Sequence, residues 1–274
     1  MGKKIDICKL TGKVGSFVNC HILPKALTYS NAQYRDGSEA RFIEIGTDTE
    51  LKSAKRPKLA HSSWSDKNLV TQEGEDILSR LDSKGIGILR KYRLVDEHDF
   101  AGAARSLDLP IQECLDLKLF LLSVLWRSAA SDRKEFAIIR LLPDDLELLR
   151  RTIVGEIVLA KSDFPISITQ YVNLDDRINT SPTERESVVK EPGTGMQMAA
   201  RVFQIYLMGL SVEFSITRIN PILFEGWGNR ALGSSDQLCI NLLDYQDTFK
   251  LIIAERKKLT ESQWYTEVKR LVKV

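Results

Sequence analysis

Histidine and cysteine, the side chains that most often build catalytic and metal centres, are scarce here: three and four in 274 residues. The cysteines are Cys8, Cys20, Cys114 and Cys239. Their spacing matches no disulfide framework, and Cys114 falls in an apolar helical pattern, so reduced thiols in a cytoplasm are expected. An excess of one charge is also missing, since Lys plus Arg is 39 against 37 for Asp plus Glu. That balance excludes bulk attraction to polyanions, and any nucleic-acid surface has to be a local patch. No run approaches the ~18 continuous apolar residues of a membrane span, so no membrane contact is expected. Two early lysines have no apolar run behind them, which argues against a signal peptide. Internal repeats and low-complexity tracts are absent. Lys190-Glu-Pro-Gly-Thr-Gly195 lacks the Lys-Ser/Thr pair of a phosphate loop, which removes nucleotide binding at that segment.

What is present suits a globular protein of one large domain or two, with 43% hydrophobic and 28% charged residues. Residues 5–24 read as a turn marked by Gly12 and Gly15, then a short strand leading to His21. Pro24 permits a helix start. A strand is expected at Arg41–Ile45, followed by a basic, turn-rich piece with Lys52, Lys55, Arg56 and Lys58. Those cations suit either a solvated loop or a phosphate-contacting one. A helix spans 71–94, with Thr71 as its N-cap, and Gly85 and Gly87 bend or split it.

Pro110 opens a second helix, apolar almost all round between Leu115 and Trp126, which is the pattern of a buried central helix. Trp126-Arg127 and Asp132-Arg133 at its end suit either the lining of a cleft or an amphipathic edge with a salt bridge. Pro143 starts a third helix, with acids in its first turn and arginines in its last. Phe164–Val172 alternates like a strand, 173–196 reads as a long exposed loop, and 201–218 as a β-hairpin turning at Gly209. Gly226-Trp-Gly228 suits an aromatic loop or a turn around a packed Trp. Residues 238–259 and 261–273 look helical or mixed.

Two constellations carry chemistry. A zinc knuckle needs two thiolates about three residues apart. Cys8 is followed by Thr11, which is a poor substitute, and Cys20 and His21 are adjacent, so a strand points them to opposite faces. Structural zinc is therefore not expected. His21, at a strand end before two aliphatics and a proline, suits a general base facing a cleft, or a histidine satisfied by hydrogen bonds beneath the next helix.

The pattern Cys8-Lys-Leu-Thr-Gly-Lys13 with His21-Ile-Leu-Pro-Lys25 resembles the entry to the HNH endonuclease (treble-clef, ββα-metal) fold. Asn68-Leu-Val-Thr-Gln-Glu-Gly-Glu75, then Asp82, corresponds to that family's second knuckle and the helix after it. On this alignment Thr11, Thr71 and Gly74 replace three of four zinc cysteines, and Cys20 stands where many members have a metal-binding Asp. The resemblance covers about residues 5–90. It implies His21 as general base, Glu75 as a catalytic carboxylate and metal ligand, and Asp82 as a second ligand for Mg²⁺ or Mn²⁺. It also implies phosphate contacts from Lys25, Lys55, Arg56 and Lys58, with DNA or RNA as partner.

The fold expectation is α+β: a treble-clef-like unit over 1–95, packed on a mainly helical domain over 96–274 that includes the hairpin. The function expectation is metal-dependent phosphodiester hydrolysis. The alternative is a catalytically inactive module that binds a protein partner in a bacterial defence or mobile-element system.

Overall fold

A computed structural model describes residues 5–27, 42–45, 47–48, 53–54, 58–60, 63–92, 104–172, 178–191, 193–207 and 209–244. The expected His98 loop and the 261–273 segment lie outside these, as do residues 245–259. The fold is α+β, as expected.

At the N-terminus β1 (Ile5–Ile7) and β2 (Val14–Ser16) form an antiparallel hairpin. The Cys8 N–H donates to the Lys13 carbonyl, and Gly12, at φ +70°, supplies the left-handed residue that closes the turn. β3 (Cys20–His21) follows, and Pro24 leads only into a single 3-10 turn, Lys25–Leu27. Four short strands come next: β4 (Phe42–Ile45), β5 (Thr47–Asp48), β6 (Ser53–Ala54) and β7 (Lys58–Ala60). β8 (Ser65–Asp66) pairs with β3, setting His21 opposite Ser65.

α1 (Gln72–Lys91) runs through Gly85 and Gly87 without being split there. Gly85 is there for proximity. A Cβ at this position would lie 2.1 Å from Phe120 of α2 (Ile111–Ala130), so the two helices touch backbone to ring. Thr71 stands at the N-cap without a side-chain cap bond. α2 is buried along most of its length, and α3 (Pro143–Ile153) packs beside it.

β9 (Ala104–Asp108) precedes α2; β10 (Ile166–Val172), β11 (Ile178–Thr180), β12 (Thr183–Lys190), β13 (Gln197–Leu207) and β14 (Leu210–Ser215) follow α3. α4 (Pro221–Trp227) and β15 (Gln237–Asp244) complete the described chain. The expected hairpin is β13–β14, turning at Gly209 with φ +77°. Three strand assignments differ from expectation. Part of the expected 173–196 loop forms β11 and β12, and the start of the 238–259 segment, expected as helical or mixed, is β15. The region after α2 is therefore organised by a six-stranded sheet, in the order β12-β13-β14-β10-β15-β9, rather than by helices carrying one hairpin.

One face of the sheet is aliphatic and aromatic. Ile166, Ile168, Ile205, Val212 and Phe214 share a single core with Phe120, Leu121 and Leu125 of α2. That core also holds Leu10, Ile22, Leu23 and Leu78, so it runs across the expected 95/96 boundary, as does the parallel pairing of β4 with β11. Among the described residues no helix is long and apolar enough to cross a membrane.

Candidate functional site

The site lies where β3, the first turns of α1 and the end of α2 meet. β3 alternates, so Cys20 is fully buried while His21 is half-buried. Burial disfavours the imidazolium and holds the His21 pKa below its usual 6.5. Glu75 opposes that shift, and Lys25 and Arg127 reinforce it. The Glu75 carboxylate also lies against the Cys20 thiol, whose pKa burial pushes far up. Cys20 is thus a neutral thiol at neutral pH and no thiolate ligand. The Cys20 thiol hydrogen-bonds the Glu75 carboxylate, whose Oε2 is buried with no hydrogen-bond partner among the described residues.

Arg127 organises the back of the site. It is 1% exposed, and both of its terminal nitrogens donate to Asp82, at 3.0 and 2.7 Å. Nη1 also donates to the His21 carbonyl at 3.1 Å, and Nε to the Ser123 carbonyl. Burial works against the Arg127 charge, but Asp82 outweighs it and holds the guanidinium protonated. This corrects two expectations. Asp82 is the counter-ion of Arg127, with both oxygens engaged, rather than an available metal ligand. Arg127 is an interior group rather than part of an amphipathic edge. The sequence signal for it was an arginine in the apolar stretch Leu119–Ala130, where a buried charge needs a counter-ion.

Cys8, directly after β1, is buried, and its Sγ accepts from the N–H groups of Thr11 at 3.5 Å and Thr71 at 3.4 Å. Burial alone would raise the Cys8 pKa, but these donors outweigh it and hold it below the usual thiol value. A Cβ on Gly74 would lie 3.0 Å from the same sulfur. Cys8, Thr11, Thr71 and Gly74, distant in sequence as two pairs, therefore meet at one point.

Lys25 is exposed beside His21, in the 3-10 turn. Lys55 and Arg56 lie outside the described residues, and for Lys58 the structure gives only its strand. Among the described residues, no group of three or more His, Cys, Asp and Glu side chains is arranged to hold a metal.

No family model matches the chain, nor does any curated protein or solved structure.

Proposed function

We propose that this chain is an HNH-like nuclease-fold protein that hydrolyses phosphodiester bonds of nucleic acid, with His21 as general base. The observation that carries this reading is the meeting of a neutral, half-buried His21 with Glu75, whose Oε2 is buried and unpartnered. The meeting of Cys8, Thr11, Thr71 and Gly74 around one sulfur supports it, because these are the four positions that the resemblance assigns to zinc.

Glu75 fits a divalent ion, since Mg²⁺ is commonly held by one or two carboxylates together with substrate phosphates. Asp82 does not, because Arg127 occupies it. A Mg²⁺ or Mn²⁺ ion at Glu75 would supply charge neutralisation at the phosphate and a more acidic water. His21 would take the proton of a water attacking phosphorus, a role open to an imidazole kept neutral by burial. Arg127 fixes the His21 backbone, and Lys25 stands beside the ring to meet a phosphate oxygen.

One observation favours a second reading, an inactive interaction module of a bacterial defence or mobile-element system. The capture of Asp82 leaves Glu75 as the sole carboxylate of the expected pair with a free oxygen. A plasmid-nicking assay with Mg²⁺ or Mn²⁺ separates the two. Wild type should nick, and His21→Ala and Glu75→Gln should each be slower by about 100-fold or more, the usual worth of a general base. Nicking should fade in acid with a midpoint below the usual histidine value of 6.5, since burial lowers this pKa. Equal cleavage by wild type and His21→Ala, or none by either, overturns the nuclease mechanism.

A further inference from the structure

The six-stranded sheet has two unlike faces. Against α2 it is aliphatic, but the opposite face, partly roofed by α4 and the 3-10 turn Gly228–Arg230, is polar and largely buried. The strand registers bring together Gln204 opposite Glu213, Glu213 opposite Ser167, and Thr169 opposite both Ser211 and Asn241. A face covered by its own helix is most cheaply filled with aliphatics, as happens at one end, where Val189, Val202, Leu223 and Trp227 pack together. Elsewhere on that face the side chains enclose a cavity of about 270 Å³.

The cavity wall is prearranged. Glu213 Oε2 accepts from Ser167 at 3.4 Å and from Ser187 at 3.2 Å, while Oε1 faces Arg185 at 3.3 Å. The Trp227 indole N–H reaches Ser187. The Gln204 amide is fixed by Ser211 and Tyr206. The Arg185 charge is thus answered by Glu213. The side chains of Arg230, Asn241 and Thr169 line the same space with no hydrogen-bond or ionic partner among the described residues. A cation and two polar groups therefore face this space beside a fixed carboxylate, the few convergent polar groups that orient a small ligand.

We infer that this cavity binds a small phosphomonoester on a polyol, a sugar phosphate or mononucleotide, with Arg230 meeting the phosphate and the Glu213 cluster meeting hydroxyls. A guanidinium with hydroxyl and amide donors suits phosphate oxygens, and a carboxylate held by serines suits the donors of a sugar. The volume lies just under the ordinary range for ligand pockets, roughly 300–1,000 Å³, which favours the sugar-phosphate size over a polymer. The site is on the sheet face turned away from α2, and the inference does not depend on His21.

Isothermal titration calorimetry on the full chain tests it, with ribose 5-phosphate, adenosine 5′-monophosphate, ribose and inorganic phosphate as probes. At least one phosphorylated probe should bind about tenfold or more tightly than ribose or phosphate alone, because both ends of the cavity are then used. Arg230→Met should weaken that binding about tenfold or more, and Glu213→Gln should remove the preference over inorganic phosphate. Circular dichroism on each variant reports its fold, and Asn241→Leu, altering an unbonded wall residue, replaces any variant that does not fold. Absence of binding by both phosphorylated probes at millimolar concentration, or unchanged binding by Arg230→Met, overturns the inference.

Discussion

At the scale of single residues, two glycines and one arginine carry most of the consequence. Gly85 and Gly74 sit in α1, where alanine is intrinsically the better helix former by about 1 kcal/mol. Propensity alone therefore predicts stabilisation by alanine. The structure predicts the reverse, because a Cβ would come within 2.1 Å of Phe120 at Gly85, and within 2.9 Å of Val70 and 3.0 Å of Cys8 at Gly74. Overpacking of this kind costs about 1–3 kcal/mol, more where a ring must move. Urea unfolding should show Gly85→Ala as clearly destabilised and Gly74→Ala as less so, with Gly87→Ala, which meets open space, neutral or stabilised. Arg127 makes a different prediction. Arg127→Met strands the Asp82 charge and should cost about 3–5 kcal/mol, whereas Arg127→Met with Asp82→Leu should recover much of that loss. If the double variant is no more stable than the single, the pair is not what sets the cost.

At the scale of elements, α2 shows what sequence reasoning captures. Its start after Pro110 follows from the proline, and its burial from Leu117 onward follows from the apolar run to Trp126, although Leu115 is exposed. The roles of Lys118 and Arg127 do not, because a partner 43 or 45 positions away has no local trace. Lys118 donates to the Lys161 carbonyl, and burial pushes its pKa down to about 8. Between about 8 and 10.5 the unfolded chain therefore binds more protons here than the folded one. Stability from this group is fully present above 10.5 and is lost as pH falls through about 8. Lys118→Met should flatten the rise in stability over that window when the two proteins are compared by urea unfolding at each pH. A difference between them that does not change with pH would sink the assignment.

The β13–β14 hairpin shows the opposite limit. Strict alternation of Ser211, Glu213 and Ser215 with Val212 and Phe214 located the strand, but alternation equates polar with solvated. Here the polar side is buried as well, and only the roof formed by α4 reveals it. Part of the expected loop over 173–196 failed for a related reason. β12 is an edge strand, and its Glu184, Glu186 and Lys190 are what edge positions carry. Glu184 pairs with Arg201 on β13. At the candidate site, the resemblance pointed to His21 and Glu75, which the fold places near each other, while the capture of Asp82 by Arg127 left no trace in the sequence.

At the scale of the whole molecule, the N-terminal loops are fastened to the rest by basic side chains that donate to carbonyls. Lys9 reaches Ala130 at 2.8 Å, Arg150 reaches Leu10 at 2.9 Å, Arg127 reaches His21 at 3.1 Å and Arg133 reaches Ser65 at 3.0 Å. Each joins residues 68 to 140 positions apart. Such contacts form late and cannot exist in a fragment, because closing long loops costs entropy before any contact repays it. On a ribosome, these four bonds must therefore wait until α2 and α3 have been made. The order of synthesis runs against the order in which these contacts can form.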